Sequence, residues 1–148
     1  LGAAANPLKP TTTTPRHTMT SPITVSAITL ALLAVLLIAL SLNVSRLRLR
    51  HRASYGEAGH KDLLVAVRAH GNTLEQTLLF FALLLCAELA TGQSRAVLGG
   101  IATAFMAARL LYVAAVFGRR LPLRQAAHGL SVLLQLALVA IILASAIR

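Results

Sequence analysis

Three polar side chains interrupt an apolar stretch in the middle of this chain: Arg68, Asn72 and Glu75. Their spacing is i, i+4 and i+7, which on a helix is one face. The stripe holds a fork of donors, an amide and a carboxylate. Arginine grips carboxylates in bidentate fashion, and a glutamate receives an ammonium group. Such a set suits a zwitterionic or multiply charged small molecule. The same three residues could instead tie helices together with no ligand. Charged groups in apolar helices are costly, which makes them functional candidates by default.

Two further arginines stand at comparable positions. Arg109 falls about two turns before the end of its helix, near the depth of Glu75, so the spacing predicts a Glu75–Arg109 ion pair in a low-dielectric setting. The competing reading is an arginine that snorkels to the interface. Arg124 follows Pro122 at the head of the last helix. There it either anchors at lipid headgroups or offers a cation to a developing thiolate. Glu88, near the far end of its helix, is expected to reach water.

Other chemistries are excluded. His70 and His128 lack metal-ligand spacing and have no Cys or carboxylate cluster beside them, so no metal is expected. There is no glycine-rich phosphate loop and no nucleophile elbow. Cys86 is the one cysteine. It lies in an apolar run and reads as a small buried hydrophobe. No intrachain disulfide can form, and the compartment cannot be read from cysteine usage.

The elements that must position these residues follow from composition. Hydrophobic residues make up 57% of the 148, charged residues 12%, and mean hydropathy is +0.76. A soluble domain carries about a quarter charged residues. Half that fraction argues against a soluble domain, and the hydrophobicity excludes disorder for the chain as a whole. The formal charge of +10 would suit a nucleic-acid binder, but a chain this apolar does not. What remains is an all-α integral membrane bundle with its positive charge in loops.

Four spans are predicted, about 23–44, 63–90, 96–117 and 123–147, in an up-down arrangement taken as left-handed. The first has 22 uncharged residues, about 33 Å as a helix, enough to cross a hydrocarbon core. Pro22 sits where a helix can begin. A cleaved signal peptide is the weaker reading, since the run is long and basic residues follow it rather than precede it. Asp62 is placed as the N-cap of the second helix. Residues 1–18 hold Pro7, Pro10, Pro15 and four consecutive threonines. They read as a disordered extension ahead of a 19–148 domain, with Met19 a possible native start.

Orientation follows from lysine and arginine counts. Arg46, Arg48, Arg50, Arg52 and Lys61 fall between spans one and two, and Arg119 and Arg120 between three and four. Both groups lie on one side, which is assigned to the cytoplasm, with both termini opposite. The Arg46–Arg52 run also reads as a contact for anionic lipids.

At this point the residues match a known pattern. Arg68-Ala69-His70-Gly71-Asn72-Thr73-Leu74-Glu75 resembles the R-A-H-x-N-x-x-E signature of the MAPEG family, the membrane-associated proteins in eicosanoid and glutathione metabolism. It sits early in the second of four helices, as in that family. Arg109-Leu110-Leu111-Tyr112 is similar to the family's third-helix element. Gly118 through Arg124 resembles the loop before helix four, and Gly56-Glu57-Ala58-Gly59 a segment of small bacterial members. The resemblance runs from about Ile23 to the C-terminus.

The resemblance implies a homotrimer in a bacterial inner membrane, with glutathione as co-substrate bound between subunits near the cytoplasmic face. Arg68, Asn72 and Glu75 would contact it, Arg109 would support the site, and Arg124 would activate the thiol. His70, Gln76, Tyr112 and His128 are further candidates. The second substrate would be a lipophilic electrophile or a lipid hydroperoxide. The chain departs from the family pattern at Gln76, Val116 and His128, where members carry tyrosine, and at Leu78, where they carry proline. Two readings therefore stand: a glutathione-dependent transferase or peroxidase, and a non-catalytic glutathione- or lipid-binding protein of the same fold. A small multidrug pump, also four helices long, would be expected to carry a carboxylate in helix one, which here has no charge.

Overall fold

The computed structural model describes residues 23–56 and 58–147. The expectations for residues 1–18, Met19, Pro22 and Glu57 lie outside the described residues. Four helices follow in order: α1 (Thr24–His51), α2 (Lys61–Ala90), α3 (Arg95–Phe117) and α4 (Leu121–Ala146). All four are long and apolar enough to cross a membrane.

Hydrogen bonds fix how neighbours run. Glu88, late in α2, accepts from Val25 and Ser26 at the start of α1. Arg109, late in α3, reaches Asn72 early in α2 and Ala127 early in α4. Ser145 at the end of α4 donates to Ala90 at the end of α2. Successive helices are therefore antiparallel, and α2 runs parallel to α4. One end of the bundle gathers the close of α1 and α3 with the opening of α2 and α4. It is called the arginine end below.

Far from that end, the packing is apolar and tight. Phe80 and Phe105 stack face to face with ring centroids 3.7 Å apart. Leu33, Leu84, Leu98 and Leu138 close around them. Leucines and isoleucines such as Leu32, Ile38, Leu42 and Leu133 point outward, as they must when the surrounding solvent is lipid.

Several sequence expectations are corrected. α1 does not stop at 44 but continues to His51, so Arg46, Arg48 and Arg50 ride on a helix rather than in a loop. Arginine is a good helix former, and cations are favoured in a last turn by the exposed carbonyls there. Leu47 is buried between those arginines and, with Ala53 and Leu63, packs the helix end down. Arg52 then caps α1 in the left-handed conformation. Asp62 is not the N-cap of α2. His60 holds that position, and Asp62 lies in the first turn, where it accepts from Leu63 N and meets His51 Nε2 at 2.8 Å. α3 begins at Arg95, capped by the Ser94 hydroxyl, which accepts from Val97 N. α4 begins two residues early, at Leu121, with Pro122 in its first turn. Cys86 is exposed, not buried.

Glu88 is corrected too. It does not extend into water but turns onto the start of α1, taking Val25 N and Ser26 N at 2.8 Å each and the Ser26 hydroxyl as well. The first helical N–H groups have no partner within their own helix. α1 has no capping side chain of its own, and the carboxylate of α2 takes that role.

Candidate functional site

The i, i+4, i+7 spacing on α2 does what it promised. Arg68, Asn72 and Glu75 line one cavity of about 540 Å³, together with Tyr112 of α3 and Arg124, Gln125 and His128 of α4. It opens at the arginine end of the bundle. Gly71 lies between Arg68 and Asn72 in the wall and leaves room there. A second cavity of about 280 Å³ shares Arg68, Tyr112 and Arg124 and adds Arg119 and Arg120. Arg68 and Arg124 thus stand where the two meet.

The cavity is polarised. Two arginines face one glutamate, and Glu75 is exposed with no ion pair to any described residue. The predicted Glu75–Arg109 pair does not form. Arg109 is fully buried and turns away from Glu75. Nη1 donates to Asn72 Oδ1 at 3.2 Å. Nη2 donates to Ala127 O and to the Ser131 hydroxyl, which itself donates to Ala127 O. The guanidinium also lies over the rings of Tyr112, at 4.8 Å, and Phe105, at 5.6 Å. These contacts are all to neutral groups, and Nε has no partner. Arg109 is neither a snorkelling arginine nor half of an ion pair. It is a buried cation spread over neutral acceptors and π faces.

Tyr112 and His128 join the site, with ring centroids 6.4 Å apart. His70 and Gln76 do not line the cavity. Gln76 instead offers its backbone carbonyl to Gln135 Nε2 at 3.2 Å, which pins α4 to α2. Sequence reasoning missed Ser131, Gln135 and Gln125. A signal for the first two was present: His128, Ser131 and Gln135 repeat Arg124's face at helical spacing. Their lack of charge hid them.

A second group sits at the α1–α2 corner. His51 and His60 stack at 3.9 Å, and their ligand atoms with that of Asp62 lie within 4.8 Å of one another. Arg50, Arg52 and Lys61 flank the trio in sequence and oppose a bound dication. The trio reads as a clasp between the two helices.

Four membrane-length helices around a polar pocket at one end define an integral membrane bundle. The MAPEG family pattern matches residues 26–144, nearly the whole described chain, and the chain belongs to the MAPEG family. It is also similar to inner membrane protein YecN of two Escherichia coli strains, K12 and O6:H1. Each is 40% identical over 65 residues, 44% of this chain and 50% of the relative. The match therefore spans about half the length of those relatives.

Proposed function

We propose that the protein is a glutathione-dependent transferase or peroxidase acting on lipophilic electrophiles. The observation that carries this reading is the convergence of Arg68, Asn72, Glu75 and Arg124 on one cavity. Glutathione has two carboxylates, one ammonium and a thiol. Arg68 answers a carboxylate and Glu75 answers the ammonium. Arg124 lowers the pKa of the thiol by its charge. Transfer then forms a carbon–sulfur bond as the leaving group departs with its electron pair. With a hydroperoxide, two glutathiones are oxidised to the disulfide while the peroxide becomes alcohol and water. The cavity lies on the outer face between α2 and α4, where a neighbouring copy would close it, and this supports a homotrimer. Arg46, Arg48, Arg50, Arg52 and Lys61 at the joined ends of α1 and α2, with Arg119 and Arg120 between α3 and α4, support a cytoplasmic arginine end. The name of the Escherichia coli relatives supports an inner membrane location.

The test is turnover of a chlorinated aromatic or a lipid hydroperoxide by the purified protein with glutathione. A rate no higher than that of Arg124→Ala overturns the catalytic reading. A second reading, binding without turnover, draws on Val116 and Gln76. Val116 is buried and apolar where the family offers a tyrosine hydroxyl, and Gln76 is engaged with Gln135. A thermal shift with glutathione that Glu75→Ala abolishes, with no turnover in the parent protein, selects it.

A further inference from the structure

Four arginines meet at the second cavity, and no described carboxylate comes with them. Arg68 belongs to α2, Arg119 and Arg120 to the α3–α4 turn, and Arg124 to the opening of α4. All four are exposed, and no ion pair among the described residues involves them. The described acids are placed elsewhere. Asp62 is held by His51 and the Leu63 N–H, Glu88 caps α1 at the far end of the bundle, and Glu75 lines the first cavity but not the second.

The backbone concentrates this charge. Where α3 closes, Arg120 N donates to Ala115 O at 2.9 Å and Arg119 N to Val116 O at 3.2 Å. That pair of bonds is a common helix ending whose left-handed residue is usually glycine. Here it is Arg119, at φ 54°, where a β-carbon is strained. Gly118 stands one position too early, at φ −76°, and does not relieve it. Arg120 is then the N-cap of α4, with no side-chain cap bond and no acid in the first turn. The open N–H groups of a helix start carry positive potential, so Arg120 and Arg124 add to a field already of their own sign.

The walls indicate what kind of anion would answer it. Val65, Val116 and Leu121 line the same cavity of about 280 Å³. It lies where α2 and α4 open and α3 closes, the level at which headgroups meet a spanning bundle. A cationic mouth beside an apolar wall suits an amphiphile, and the guanidinium fork matches phosphate oxygens. We propose that this cavity seats the phosphate of an anionic membrane phospholipid, gripped by Arg119 and Arg120, with the apolar part of the lipid against Val65 and Leu121. Arg68 and Arg124 line both cavities, so a phosphate here also draws on the cations of the first. The site stands whether or not glutathione occupies that first cavity.

The test is thermal unfolding of the full chain in non-ionic detergent, with dioctanoyl phosphatidylglycerol, dioctanoyl phosphatidylcholine and inorganic phosphate as probes. Phosphatidylglycerol is expected to raise the melting temperature, and phosphatidylcholine of equal chain length to leave it within about 1 °C. In R119Q/R120Q the phosphatidylglycerol concentration for half the effect is expected to rise at least about tenfold. R46Q/R50Q removes the same charge from α1 at the same end of the bundle and is expected to stay within about threefold of the parent. Arg119→Gly separates binding from folding. It relieves the left-handed strain, so it is expected to melt at or above the parent without lipid and yet to respond less to phosphatidylglycerol. Equal responses to the two lipids, equal losses in the two double variants, or a full response in R119Q/R120Q or Arg119→Gly each overturn the site. Inorganic phosphate as effective as phosphatidylglycerol overturns the lipid as its occupant.

Discussion

Two glutamates on the same helix meet opposite fates. Glu88, at the far end of α2, is taken up by two backbone N–H groups and a serine hydroxyl of α1. Glu75, three to four turns earlier, lines a cavity and has no ion pair among the described residues. The surroundings divide the same way. Around Glu88 the bundle is leucine and phenylalanine, closely stacked. Around Glu75 it is arginine, amide and histidine facing open space. An identical side chain is a structural cap where the protein engages it and stays available where no described residue pairs with it. An exposed carboxylate that no described residue pairs with is the group to test for a ligand.

The contrast can be broken or sharpened by four substitutions. Arg124→Ala should give the largest effect, a loss of about 10²–10³ in glutathione-dependent turnover with the melting temperature unchanged, because it removes a charge needed only when the thiolate forms. Glu75→Ala should weaken glutathione binding by more than about thirtyfold, read by calorimetry, with stability within about 0.5 kcal/mol of the parent. Glu88→Ala should do the reverse. It leaves the first donors of α1 unanswered and should cost about 2–4 kcal/mol of stability in a denaturant titration, with glutathione affinity unchanged. Should Glu88→Ala alter affinity as much as Glu75→Ala does, the division into a structural and a binding end collapses. Ser94→Ala is the smallest, about 1 kcal/mol for a lost cap at α3, again with no change in binding.

The four-helix bundle and the lining of its cavity were legible in the sequence; the contacts that hold the helices together were not. Arg68, Asn72 and Glu75 were legible because helical spacing alone puts them on one face, and Arg124 because Pro122 marks where α4 begins. Misplaced partners were another matter. Arg109 was matched with Glu75 by depth, but depth ignores azimuth: on α3 its side chain turns to Asn72 and Ser131, and no ion pair forms. Glu88 was read as reaching water because a helix end near an interface ordinarily does. Its true partner is more than sixty residues earlier in the chain, a distance that local periodicity does not cover. The end of α1 was set by the first charge, although arginine continues a helix readily.

That longer α1 has a mechanical side. Its 28 residues span about 42 Å, some 12 Å more than a hydrocarbon core. The surplus carries Arg46, Arg48 and Arg50 on a rigid rod, not a slack tether. The field of an anionic lipid surface fades within about 8–10 Å, so at such a surface a few ångströms of depth matter to charges held on a rod. At an anionic surface, a bilayer thinner or thicker by a few ångströms would change the pull on those arginines, at the end where the His51–Asp62 contact joins α1 to the opening turn of α2.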